Sequence, residues 1–189
     1  MTQKTEKIKF LQKPAKGKLG GLFIVFLWIS LWNIVYQALH GIWAESEIQI
    51  VNWAFFAAVT LFFMQEELTY KQRFWHTLIG GTVGLLLAAG VVLCCTALMK
   101  TGLSHTVAVS IPLIVCIAIL ILAHPYVPVV FNNVGFIYFI VAFVEKEHTV
   151  SMLPSYVLSL LAGSVILNLG CAFLIGRYTK ALAKKAASN

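Results

Sequence analysis

Between Leu19 and Ile175 the charged residues fall only between long apolar runs, never inside one. A backbone in hydrocarbon must satisfy its own N–H and C=O groups, so apolar runs approaching 20 residues read as membrane helices. Six such runs are present: Leu22–Leu39, Ile48–Met64, Trp75–Met99, Val107–Ala123, Val127–Val144 and Leu153–Ile175. The second and fifth are on the short side. Composition agrees, because the 189 residues are 60% hydrophobic and 11% charged, whereas soluble domains carry about 25% charge. The expected fold is an all-α integral membrane protein of six transmembrane helices. It divides into a basic cytoplasmic tail over 1–20, a six-helix membrane domain over 21–177 and a second basic tail over 178–189. No separate soluble domain fits.

The charge pattern orients the chain. The formal net charge of +7 could suggest nucleic acid, but the cations sit at the ends of apolar runs, which is the topology signal of a membrane protein. Lysines of the N-terminal tail, Lys71, Arg73, Arg177, Lys180, Lys184 and Lys185 fall on one side of the six runs; Lys100 and Lys146 fall on the other, with Glu45, Glu47, Glu145 and Glu147. Both termini are therefore expected in the cytoplasm, with the bilayer as partner and no nucleic acid. Trp43, Trp53, Trp75, Tyr70 and Tyr178 lie near run ends, as an aromatic belt requires. Trp28 and Trp32 lie deeper and are expected to pack against neighbouring helices.

The two halves echo one another. Asn52-Trp53-Ala54-Phe55 and Asn133-Val134-Gly135-Phe136 share asparagine, any residue, small residue, phenylalanine. At the same spacing Phe62 matches Phe143 and Glu66 matches Glu147; after one residue of slip Gly81-Thr82-Val83 matches Gly163-Ser164-Val165. Three helices per half make the second half enter from the opposite side, a 3+3 inverted-topology repeat of the kind many transporters use.

Asn52, Asn132 and Asn133 are amides in apolar surroundings, where a polar group without partners costs on the order of a few kcal/mol. They should face protein or water. One reading makes Asn52 with Phe55 and Phe56, and Asn132 and Asn133 with Phe136 and Phe139, the lining of a path for a small polar solute. The other has each amide cap a helix start or clamp a neighbour, and Pro125 and Pro128 just upstream of Asn132 suit a cap. Gly80, Gly84 and Ala88, and Ser155, Ser159 and Gly163, recur every fourth residue and predict close helix packing, with the third and sixth helices crossing near the centre. Asn168 reads as an interhelical clamp.

Aspartate is absent, and no Lys, Arg or Glu lies within a run. A coupled transporter usually carries an ionisable or carbonyl-rich site at depth, so the pattern favours passive passage of a neutral solute. The five histidines lie near helix ends without ligand spacing, and Cys94, Cys95, Cys116 and Cys171 sit in apolar runs; no metal or cofactor site is expected. Neither a nucleophile elbow, a zinc-protease motif nor a phosphate loop occurs, so an enzyme is not expected.

The stretches "VNWAFFAAVTLFF", "HTLIGGTVGLLL", "FNNVGFIYFIVAF" and "MLPSYVLSLLAG", followed by a basic tail, resemble the small bacterial inner-membrane proteins grouped as domain of unknown function 1097. Leu153, Pro154 and Ser155 stand where that family opens its last helix. The resemblance runs from about Val51 to Lys185 and implies six helices and a bacterial cytoplasmic membrane; it implies no activity. The functional expectation is a channel or facilitator for a small, neutral polar solute, in an oligomer. The alternatives are a substrate-binding subunit of a larger transporter, or a membrane scaffold recognised by a filled core.

Overall fold

Long uninterrupted apolar sequence gives long helices. In the computed structural model, which describes residues 18–43 and 46–187, with only the backbone of Trp43, α1 spans Lys18–Trp43 and α3 spans Tyr70–Lys100. Helix α4 spans His105–Ala123. The last helix runs without a break from Thr149 to Ala187. It comprises α6 (Thr149–Gly163), a π-helical stretch over Ser164–Leu169, and α7 (Gly170–Ala187). These four rods are long and apolar enough to cross a membrane. The described chain is thus an all-helical bundle of the multi-pass membrane class. The expected tail before residue 18, Glu45 and the Trp43 side chain lie outside the described residues. Lys18 to Gly20 and the segment 178–187 belong to α1 and α7, which run on through Gly20, Gly21 and Gly176.

The two remaining helices differ from expectation. Helix α2 covers Asn52–Phe63 and α5 covers Asn133–Val144. Each begins four to six residues later than its apolar run. Twelve residues rise about 18 Å, against about 30 Å of hydrocarbon. The reason lies in what precedes them. Non-helical backbone over 46–51 and successive turns over 124–132 lead into the short helices; the first stretch is held by hydroxyls of α6, the second by its own turns and by the Asn132 side chain. Helix α3 has a sharp start of its own. Thr69 accepts from the Gln72 N–H, and the Gln72 side chain accepts from the Thr69 N–H, a reciprocal cap that fixes the first turn.

The glycines decide which helices touch. A Cβ at Gly84 would overlap the Gly135 carbonyl, and one at Gly135 would come within 2.7 Å of the Gly80 carbonyl oxygen. Helices α3 and α5 therefore meet backbone to backbone. A Cβ at Gly163 would overlap the Phe55 carbonyl, so α6 meets α2 in the same way. The expected small-residue stripes are thus spent on α3–α5 and α2–α6. Helices α3 and α6 do touch, through Gly81 against Leu160. Helix α4 lies on α3, and α1 lies on α7, where Trp28 fits against Gly170 and donates to the Ile166 carbonyl.

Two ends of the bundle follow. The start of α1, the α2–α3 turn and the far part of α7 line one groove and share one end, here called the termini end. The α3–α4 and α5–α6 turns meet at the opposite end. Gly84→Ala is expected to lower thermal stability in detergent by about 1–3 kcal/mol, the usual cost of overpacking. Gly90→Ala is the control: nothing lies within 4 Å of its Cβ position, and stability should hold or rise slightly.

Candidate functional site

The connector before α2 is held from outside. Its Gln49 and Val51 N–H groups donate to the hydroxyls of Ser155 and Ser159, at 3.1 and 2.7 Å. The Tyr36 hydroxyl donates to the Ile50 carbonyl at 2.9 Å. Tyr36 lies seven residues before the end of α1, so the connector dips roughly 10 Å below that end. Non-helical backbone at such depth persists only where protein or a cavity surrounds it.

The connector before α5 is held by two side chains, Asn132 and His124, the latter bonded through Nδ1 to the Phe131 carbonyl at 2.5 Å. Asn132, at the N-cap, accepts from the Gly135 N–H at 2.9 Å and donates to the His76 and Val129 carbonyls at 3.0 and 3.1 Å. It ties α5 to the first turns of α3, and Gly80 leaves room for its amide. At the far ends of the two short helices the matched carbonyls are also satisfied by side chains. Gln65 donates to Leu61 and to Thr77, each at 3.0 Å; Thr149 donates to Ala142 at 2.6 Å.

These arrangements frame two cavities. One, of 460 Å³, lies where α2 begins and α5 ends; Val51, Glu145, Lys146, Glu147, His148 and Tyr156 are on its wall. The other, of 540 Å³, lies where α2 ends and α5 begins; Gln65, Glu66, Glu67, His76, His124 and the two asparagines are on its wall. Between them the bundle is filled. Trp53 packs on Tyr156 and Tyr138, with ring centroids 5.1 and 5.7 Å apart. The Tyr138 hydroxyl donates to the Ala54 carbonyl at 2.6 Å, and the Tyr156 hydroxyl donates to the Glu145 carboxylate. Beneath them Phe62, Leu85, Phe139 and Leu160 are fully enclosed.

The expected site residues separate. Asn132 is buried and capping, while Asn133 is exposed on the wall of the second cavity; Phe136 flanks both in a smaller adjoining cavity. Phe139 is buried and stacks on Phe143. Asn52 is exposed at the start of α2, away from Asn132 and Asn133. Phe55 and Phe56 pack with Tyr36 in the α1–α2–α7 core. Of the seven, Asn132, Asn133 and Phe136 come together at one cavity.

From sequence Trp53 read as an aromatic-belt residue and Glu145 as a loop acid, and Tyr138 and Tyr156 were not singled out; the structure joins all four. Their only signal was three aromatics and one acid on three different helical segments, which no local pattern joins. Asn168 is fully buried in the π stretch. Neither its amide nitrogen nor its oxygen, nor the Ser164 hydroxyl one turn earlier, has a hydrogen-bond partner among the described residues. The clamp expected of Asn168 is therefore not formed. Within the described residues, no group of three His, Cys, Asp or Glu side chains is placed to hold a metal ion.

Comparison with protein-family models, with curated proteins and with solved structures returns no match. What this site does is therefore argued from its geometry.

Ser159→Ala removes the acceptor of the Val51 N–H. It should destabilise the protein by about 1–3 kcal/mol, the cost of a buried donor left unmade. Hydrogen–deuterium exchange should quicken at Gln49–Val51 and stay unchanged in α4.

Proposed function

We propose that the chain is a gated facilitator for a small polar solute, with the two cavities as its vestibules and the Trp53–Tyr138–Tyr156 cluster as its closed gate. The observation that carries this reading is the placing of the cavities. They sit at opposite ends of the two short helices, each where one short helix starts and the other stops.

A 3+3 inverted repeat with six crossings accounts for that placing. Exchange of α1, α2 and α3 with α4, α5 and α6 turns the α2–α6 contact into the α5–α3 contact and turns α1 against the last helix into α4 against α3. Val51 and Asn132 then hold matched positions, as do Leu61 and Ala142. The proposal puts both termini on the cytoplasmic side of a bacterial inner membrane, as the cation bias favours. The polar groups of the cavities are amides, imidazoles, hydroxyls, acids and the Lys146 ammonium, which suit a solute with both donors and acceptors.

The filled core also favours the scaffold reading, in which the cavities are surface features only. Stopped-flow light scattering on proteoliposomes separates the two. On the transport reading, a panel of small neutral solutes enters faster than into empty liposomes, and Trp53→Ala, which thins the gate, speeds entry further. Entry equal to that of empty liposomes for both folded proteins would remove the facilitator reading and leave the scaffold.

A further inference from the structure

The largest cavity described lies outside the facilitator path. It is a groove of 660 Å³ at the termini end, between α1, the end of α2, the start of α3 and α7. Its floor is apolar: Leu22, Val25, Phe63, Ile175 and Leu182. Its rim is polar: Lys18, Glu66, Tyr70, Arg73, Tyr178 and Thr179. An apolar floor opening between membrane helices takes an acyl chain with little discrimination, since hydrocarbon is all it offers. The rim is where one lipid can be told from another.

Two features of the rim matter. First, Arg73 is held in place. Its guanidinium donates to the Leu68 and Glu66 carbonyls, each at 2.7 Å, and lies over the Tyr70 ring at 5.3 Å. A cation fixed in this way meets a phosphate without further ordering. Lys18, the first described residue of α1, adds a second cation. Basic pockets between helices at a membrane surface are suited to phosphate head groups. Second, the rim also holds the Glu66 carboxylate. A purely anionic headgroup gains from Lys18 and Arg73 but is repelled by Glu66. A headgroup with a phosphate and a primary ammonium uses all three charges: phosphate toward Lys18 and Arg73, ammonium toward Glu66. A trimethylated ammonium has no N–H to give Glu66, so its attraction is weaker than a charge-assisted hydrogen bond.

We propose that this groove is a binding site for one phospholipid with a phosphoethanolamine headgroup, its acyl chain on the α1–α7 floor. None of the gate residues takes part; Glu66 also stands on the wall of the second cavity, so the test below reads lipid retention and not solute entry.

Native mass spectrometry of the full chain in detergent tests it, with phosphatidylethanolamine, phosphatidylcholine and phosphatidylglycerol of identical acyl chains titrated in parallel. Wild type is expected to retain one ethanolamine lipid about tenfold better than the choline lipid, the low end of the yield of one charge-assisted hydrogen bond. Glu66→Gln should bring that ratio close to one, and Lys18→Gln should weaken both lipids alike. Val25→Trp, which fills the floor without touching the rim, should reduce retention of all three. Equal retention of ethanolamine and choline lipids by wild type, or a ratio unmoved by Glu66→Gln, would overturn the proposal. Tighter retention of the glycerol lipid than of the ethanolamine lipid would also overturn it, by making the rim a plain cationic patch.

Discussion

The approach of α3 to α5 at Gly80, Gly84 and Gly135 underlies the rest of the structure. Glycine is needed on both helices, because a single Cβ at Gly84 would strike the Gly135 carbonyl. Without a hydrophobic drive between helices in lipid, association rests on packing and hydrogen bonds, and small residues let both act at short range. Once the backbones meet, Asn132 is within reach of the His76 carbonyl and α5 can start on a side-chain cap instead of another helical turn. The same logic runs through Gly163 against Phe55, with Ser155 and Ser159 catching the Gln49 and Val51 N–H groups. Two short helices thus begin inside the bundle because α1, α3 and α6 supply their missing partners.

That arrangement explains where the cavities fall. A short helix leaves unfilled depth at its ends, and the polar groups used to end it, Gln65, Asn132 and Thr149, lie close to that space. The aromatic cluster closes the interval, with Trp53 wedged against two tyrosines whose hydroxyls are both engaged. Opening a route would have to displace Trp53 or break the Tyr156–Glu145 contact. The π stretch adds a second device. π-Helical turns recur at functional sites, and this one holds Ser164 and Asn168 buried without partners in the described structure. Such groups cost on the order of 1–3 kcal/mol each, which makes this turn the least settled part of the last helix.

Much of the fold could be read from sequence, because charge exclusion marks helix ends directly: α4 ends where the apolar run ends, and α1 and α3 extend theirs by a few residues. The short helices were misjudged at their starts. Hydropathy sees apolar residues such as Ile50 and Val130, but not that the Ile50 backbone is bonded to Tyr36 of α1 and that Val130 sits in a turn closed on Val127. The small-residue stripes were legible as contact surfaces, though not which partner each would meet, since spacing carries no address. The paired asparagines misled in a specific way. The match of Asn52 with Asn133 joined two exposed residues, while the structurally committed amide, Asn132, pairs with Val51. A capping amide and a path-lining amide look alike in one dimension; the hydrogen-bond partners distinguish them. The aromatic cluster was illegible, because Trp53, Tyr138 and Tyr156 meet only through the tertiary fold.

The central claim is that the two cavities open to opposite faces of the membrane. Glu67 and Glu147 are exposed, one on the wall of each cavity. In a background without the native cysteines, Glu67→Cys and Glu147→Cys would each be exposed to a membrane-impermeant maleimide from one side of sealed vesicles at a time. The account predicts that Glu67→Cys labels only from the side bearing the termini and Glu147→Cys only from the other. Labelling of both from the same side would contradict it.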